Sequence, residues 1–456
     1  MCIRSTIPSM DRTLIKDTVN MVGETVLVQG YVQTKRDHGK IAFLDVTDRS
    51  GIIQVFAKGD LVSDLGSQFA ISIEGTIATR PEKLVNANIP TGTIELQAEK
   101  VTILAKSAEL PFDMGQKELD LQLPTLLDYR PLTLRHPKIQ DIFKVQAQIA
   151  AGFRKAAEDL GCTEIVVPTV VVGAAEGGTE LFQIDYYGQK AYMAQSPQLY
   201  KQMLIPALER VWTIVKAYRA EPSVTTRHLS ESTQMDCEFG FVAFPELLDL
   251  VEYVGTNTFK YAEEHCKDVL EDFGFEPVSY GDIPRLKMRE AQQIIFERTG
   301  RDNRNEKDLE PEDEREICRW AKEKHNTDFV MVTHYPTVKR PFYTMVDPED
   351  PEFTLSYDFL FRGVEVLSGS QRVHDYDELI ARMKEKGANP EDFEMYLQAF
   401  KYGMPPEGGF SFGLERLTML LLGLQNVREA SLFPRDMERV DIRLSTLKKE
   451  ETKKKK

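Results

Sequence analysis

The chain has 456 residues, a formal charge of −15, 42% hydrophobic residues and 28% charged residues. That length exceeds one ordinary core and implies two or three domains, while the composition is that of an ordinary soluble globular protein. No apolar run reaches the roughly 18 residues a membrane span needs, the N-terminus lacks a signal-peptide pattern, and the acidic balance counts weakly against a nucleic-acid partner.

From Glu24 to about Leu104 the sequence reads as short strands with turn punctuation. "TVLVQGYVQTKR" and "KIAFLDVTD" alternate apolar and polar residues, "RSG" turns the chain, and "IIQVFAK", "FAISIEGTIATRP" and "GTIELQAEKVTIL" complete five strands. Five strands in so short a span predict a small barrel, of which the oligonucleotide-binding kind is the familiar example. Residues 1–106 carry twelve Lys/Arg and twelve Asp/Glu, so this part is neutral and the charge deficit lies downstream. A neutral domain can still present a basic face. Residues 107–137, marked by Pro and Leu without a clear period, read as a hinge.

A second domain is expected over 138–447. "IQDIFKVQAQIAAGFRKAAEDLG" has helical spacing and a glycine stop. "TEIVVPTVV", "QIDYYG" and "KAYMAQS" read as strands, and "PQLYKQMLIPALE" as a helix. A charged hairpin, "RAEPSVTTRHLSESTQMDCE", follows from Arg219 to Glu238. Residues 245–340 read as a mainly helical, acidic segment. "FYTMV" and "LSYDFLFRGVEVLSGSQRV" return to strand, and "GGFSFGLERLTMLLLGL" to strand and helix. The tail 448–456 is lysine-rich, either simply solvated or in transient contact with RNA. The cysteines Cys2, Cys162, Cys237, Cys266 and Cys318 form no CxxC pair, which suggests neither disulfides nor zinc and fits a cytoplasmic protein.

Three stretches carry chemistry. In the hairpin, Arg219, Arg227 and His228 lie among four carboxylates. Side chains two apart on a strand share a face, pairing Arg219 with Glu221 and Asp236 with Glu238. Such a face suits a polyphosphate, although an ordinary cross-strand ion-pair ladder has the same composition. In "GGFSFGLERLTMLLLGL" the cation Arg416 enters an otherwise apolar helix, so it should point toward an anion, whether a ligand or a protein carboxylate. In "FRGVEVLSGSQR", Glu365 lies near Ser368 and Arg372. A carboxylate with a hydroxyl suits Mg²⁺, and a plain surface carboxylate is the alternative.

In this order the three stretches resemble the class II aminoacyl-tRNA synthetases, and among them the aspartyl family of archaeal and eukaryotic type. "TEIVVPTVVVGAAEGGTELF" is similar to the first class motif, "YRAE…TTRHLSE…MDCE" to the second and "GLERL" to the third. "AQSPQLYKQ", "SGSQRVHDYD", "YGMPPEGGF" and "LFPRD" resemble the aspartate branch. The resemblance implies an α+β chain, a five-stranded OB-fold barrel followed by a catalytic domain with an antiparallel β-sheet flanked by helices. It implies activation of L-aspartate with ATP and Mg²⁺, transfer to tRNA(Asp) with tRNA(Asn) left open, and a homodimer.

The resemblance also implies roles for particular residues. Arg219 holds the α-phosphate and the aspartate carboxylate, and Glu221 lies near adenine. Arg227 and His228 grip the outer phosphates and Arg416 the γ-phosphate, while Ala220, Leu229, Gly413, Leu414 and Glu415 complete the ATP site. Glu365 and Ser368 coordinate Mg²⁺. Glu176 belongs to a loop closing over the amino acid, Gln198 lines the pocket, Asp236 fixes the ammonium, and Lys201 and Arg372 bind the side-chain carboxylate. Asparaginyl relatives have an apolar residue at the place of Lys201, and such a site discriminates by roughly 10⁴. In the barrel, Phe43, Gln54 and Glu95 match anticodon-binding positions, although Phe43 taken alone also reads as a core aromatic. Pro168 falls at the dimer interface.

The chain departs from the family pattern at Ser232, where a phenylalanine usually stacks on adenine, at Pro222, Ser223 and Val224, and at Ser411 in place of glycine. These departures bear on ATP affinity. A non-catalytic tRNA-binding paralogue, an amide-forming paralogue and an asparaginyl synthetase are the competing readings.

Overall fold

The computed structural model describes residues 11–173, 181–220, 225–226 and 228–446. The chain divides into two compact units, Met1–Gln122 and Leu123–Lys456, with the division inside the stretch expected as a hinge.

The first unit is a closed barrel of β1 (Thr25–Asp37), β2 (Ile41–Asp48), β3 (Gly51–Lys58), β4 (Ala70–Thr79) and β5 (Ile94–Ala105), in the order β1-β2-β3-β5-β4. Each strand follows the alternation in its sequence. Ala42, Leu44 and Val46 of β2 and Ile53, Val55 and Ala57 of β3 point inward and are fully buried, while the residues between them face out. Burial of each large aliphatic side chain contributes about 1.5–3 kcal/mol. A short parallel pairing of β3 with β5 at Val55–Leu96 closes the barrel.

The second unit is built on an eight-stranded sheet. Its strands are β6 (Thr163–Glu164), β10 (Arg210–Tyr218), β11 (Glu231–Gly240), β12 (Arg285–Lys287), β13 (Phe329–Thr333), β14 (Ser356–Phe361), β15 (Val364–Gln371) and β16 (Glu407–Gly413). Their order is β12-β13-β14-β15-β16-β11-β10-β6. A small separate sheet joins β7 (Val170–Val171), β9 (Gln189–Met193) and β8 (Gln183–Tyr186).

The central strands are antiparallel, as expected, but both edges are parallel: β6 with β10 and β12 with β13. The sheet is therefore mixed. Helices lie in the chain between the members of each edge pair, Gln198–Leu208 for one and Met288–Thr299 with Pro311–His325 for the other. A crossover of that kind returns the chain in the same direction.

Three expectations change. The segment 245–340 is mainly helical but also supplies β12 and β13. "FVMVT" of β13 is buried at every residue, and a fully buried strand has no alternation to reveal it. "FYTMV" forms isolated bridges, Thr344 to Arg372 and Val346 to Thr354, in place of a strand. "TEIVVPTVV" forms only the two-residue strands β6 and β7, separated by a stretch containing Pro168.

One face of the sheet is covered by the helices Pro137–Asp159 and Phe244–His265. Phe153 meets Trp212 and Phe412 edge-on, and Phe259 packs on Phe329 and Phe361. The helices cross closely at Gly152, where an added Cβ would lie 2.7 Å from Tyr261 Cβ. Apolar residues of β11 and β16 (Met235, Cys237, Phe239, Phe410 and Phe412) fill this side. The alternate residues are left for the opposite face.

Candidate active site

That opposite face is polar because of period two. On β11 it carries Gln234, Asp236 and Glu238; on β16, Glu407, Gly409 and Ser411; on β15, Ser368 and Ser370. Strand register then joins residues far apart in sequence. Asp236 is opposite Ser411, Ser411 opposite Ser368, and Ser368 opposite Asp358 of β14, giving one row across four strands. A second row runs Glu238, Gly409, Ser370 and Ser356. Gly409 is required there, because a Cβ would sit 2.2 Å from Glu238 Oε2 and 2.2 Å from Cys237 O.

A buried charge network spans the second row and the Asp236 end of the first. Lys201, from the helix Gln198–Leu208, donates to Asp236 Oδ2 at 2.9 Å and lies 3.0 Å from Glu238 Oε2. Arg372 donates to Glu238 Oε1 at 2.7 Å, to Ser370 Oγ at 2.7 Å, to Gln198 Oε1 at 3.2 Å and to Gly409 O at 2.9 Å. Burial by itself would lower the Lys201 pKa, but Asp236 and Glu238 outweigh it and raise it above the usual lysine value. Burial likewise favours neutral Glu238, yet Arg372 and then Lys201 bring its carboxyl down to about 2. Glu407 behaves oppositely. Burial first, and the adjacent Glu238 second, push it well upward, while Gln202 Nε2 donates to it at 2.6 Å. Asp236 is also pushed upward, by burial first, although Lys201 and Ser411 act to lower it, so of these three carboxyls only Glu238 is shifted down.

Along the first row the face opens. Ser368 Oγ donates to Asp358 Oδ1 at 2.7 Å, and Arg340 holds both oxygens of Asp358 at 3.0 and 2.9 Å. Glu365 lies nearby, its carboxyl lifted to about 7 by desolvation and then by Asp358; 38% of its side chain stays open to solvent, which tempers the shift. Arg416 donates to Glu365 O at 3.0 Å, 3.9 Å from Glu365 Oε1. Gly413 ends β16 and precedes the helix Leu414–Leu421. Leu414 is buried, and Glu415 accepts from Thr233 N at 2.9 Å and Thr233 Oγ1 at 2.7 Å, so its carboxylate ties that helix to β11. Arg219 follows β10 directly, its N–H donating to Ser230 O at 2.9 Å, with Ala220 half-buried beside it. His228 is exposed and shares a hydrogen bond with Thr225, while Leu229 packs against Met419, Val427 and Ala430.

The barrel gathers its own residues. Phe43, Gln54 and Glu95 all lie on the outer face, and Gln54 Nε2 donates to Glu95 Oε2 at 3.2 Å. Phe43 is half-buried between His38 and Phe56, with ring centroids at 6.0 and 5.7 Å. It is not part of the core.

A model of class II tRNA synthetases (D, K and N) matches residues 122–437, and one of OB-fold nucleic-acid-binding anticodon domains matches residues 26–104. The chain belongs to the class II tRNA synthetases. An aspartate–tRNA(Asp/Asn) ligase of Thermus thermophilus is 42% identical, over 94% of this chain and 99% of that one. An aspartate–tRNA(Asp) ligase of Pyrococcus horikoshii is 37% identical, over 93% and 97%. The crystal structure of Pyrococcus horikoshii asparaginyl-tRNA synthetase with asparaginyl-adenylate superposes with a TM-score of 0.84 at 30% identity, covering 94% of this chain and 99% of the other.

For this class II synthetase, three expected site residues, Glu176, Glu221 and Arg227, lie outside the described residues, as do Pro222, Ser223 and Val224. The structure brings together Gln198, Lys201, Asp236 and Arg372, and separately Glu365, Ser368 and Arg416. Sequence reasoning passed over Glu238, Gln202, Glu407, Arg340 and Asp358 as site residues. Glu238 had a signal, since it stands two residues from Asp236 on one strand. Arg340 and Asp358 had none, because they meet only through the fold.

Proposed function

We propose that this synthetase is an aspartate–tRNA ligase, forming aspartyl-adenylate and pyrophosphate from L-aspartate and ATP and passing the aspartyl group to the 3′ end of tRNA(Asp). The observation that carries the reading is the buried pair Lys201, against Asp236, and Arg372, against Glu238. Two fixed cations suit a side-chain carboxylate, and a neighbouring carboxylate suits the substrate ammonium. An amide in that place would bring these cations no negative charge.

No protein nucleophile is required. The aspartate α-carboxylate attacks the α-phosphorus and pyrophosphate leaves; the terminal ribose hydroxyl of tRNA then attacks the adenylate carbonyl and AMP leaves. The chain's part is to orient the reactants and to neutralise phosphate charge, through Arg219 at the α-phosphate and Arg416 with His228 at the outer phosphates. The oxygen-rich set of Glu365, Ser368 and Asp358 fits Mg²⁺, which takes one or two carboxylates together with substrate phosphates. When bound, the ion supplies further charge neutralisation. Glu365 and Ser368 would hold it.

A homodimer is supported by exposed apolar side chains around the first motif: Val166 is 96% and Tyr187 91% exposed, with Val172, Phe182 and Tyr186 nearby in sequence and Pro168 among them. Among the described residues no helix is long and apolar enough to cross a membrane, and a cytoplasmic place in protein synthesis follows from the proposed reaction.

The test is aspartate-dependent ATP–pyrophosphate exchange, followed by charging of purified tRNA(Asp) and tRNA(Asn). Exchange with aspartate and not asparagine is the expected result. No exchange at saturating ATP would sink the enzymatic reading, and the two charging reactions decide whether tRNA(Asn) is a second substrate.

A further inference from the structure

Ser411 stands between Asp236 and Ser368 in the polar row, opposite both in register. Its Oγ donates to Asp236 Oδ1 at 2.8 Å, while the other carboxylate oxygen, Oδ2, is held by Lys201 at 2.9 Å. A hydroxyl has one proton and two lone pairs, and here the proton is committed to Asp236. Ser411 is half-buried whereas Asp236 is closed off, so the serine is the more accessible residue of the two. Resting on the proposed function, we infer that Ser411 is a further amino-acid-binding residue, accepting a hydrogen bond from the substrate ammonium beside Asp236 Oδ1. Two adjacent acceptors then fix the direction of the amino group, and with it the α-carboxylate that must approach phosphorus in line. Loss of the hydroxyl would remove an acceptor and take this donor from Asp236 Oδ1, while Lys201 still holds Oδ2.

The experiment compares aspartate with succinate, which has both carboxylates and no amino group, using the full-length enzyme in pyrophosphate exchange. In Ser411→Ala the KM for aspartate should rise about 10-fold, as for a lost hydrogen bond to a charged group. The inhibition constant of succinate and the KM for ATP should stay unchanged. Ser411→Thr, which keeps the hydroxyl, should restore aspartate affinity to within a few-fold, and the melting temperatures of all variants are measured alongside. Equal weakening of aspartate and succinate would make Ser411 a structural residue only, and an unchanged aspartate KM would remove it from the site; either result overturns the inference and leaves the proposed function standing. If the parent enzyme shows no aspartate-dependent exchange, both fall.

Discussion

Arg372 donates through Nε to Glu238 Oε1 at 2.7 Å, and both side chains are shut away from water. Burial alone would hold Glu238 neutral, but Arg372 and Lys201 keep it charged, with its pKa lowered from the usual 4.5 to about 2. A carboxyl lowered by folding stabilises the folded chain above its unfolded value, and that stabilisation disappears as pH falls through the folded one. Stability should therefore drop between about pH 4.5 and pH 2 through this group. Glu238→Gln should flatten that acid limb in urea titrations. At neutral pH it should cost about 3–5 kcal/mol, because it leaves a buried cation short of a partner. An unaltered acid limb would show that Glu238 does not titrate as described.

Lys201 occupies the other half of the same network, between Asp236 and Glu238. Lys201→Leu should reduce aspartate-dependent exchange by roughly 10⁴-fold, the discrimination that a site built around a polar partner can reach. Activity within a few-fold of the parent would mean that the carboxylate pocket is misassigned.

Gly409 makes room for the Glu238 carboxylate and for the Cys237 carbonyl. Gly409→Ala should destabilise the second unit by about 1–3 kcal/mol, since both close atoms belong to a packed, charged layer. Thermal unfolding measures it. A melting temperature equal to that of the parent would show that the strands separate freely at this point.

On the barrel, Phe43 is half-buried beside Phe56 and His38 and leaves part of its ring open. Phe43→Ala should raise the KM for tRNA about 10-fold in charging, within the roughly 1–3 kcal/mol of one base stack. Pyrophosphate exchange, which needs no tRNA, should be untouched. Equal loss in both assays would place the effect in folding and not in anticodon contact.

Much of this organisation is legible in the residue order itself. The five barrel strands follow from alternation, and the Pro137–Asp159 helix from helical spacing with a glycine stop. Asp236 and Glu238 share a face simply because they stand two apart on an extended strand. β13 is hidden for the converse reason: a strand buried on both faces shows no period. "FYTMV" has the composition of a strand, but its bridges to Arg372 and Thr354 never extend into a ladder.

Apart from β13 and "FYTMV", local residue order was enough to establish which segments extend, which coil, and which carry cations and carboxylates, because those properties depend on spacings of two to four residues. Only the tertiary structure decided which of those groups meet. Ser411 reaches Asp236 across 175 positions and Arg372 reaches Glu238 across 134. The register of a central sheet comes from packing both of its faces at once, a condition imposed by the whole domain and not visible in any single stretch.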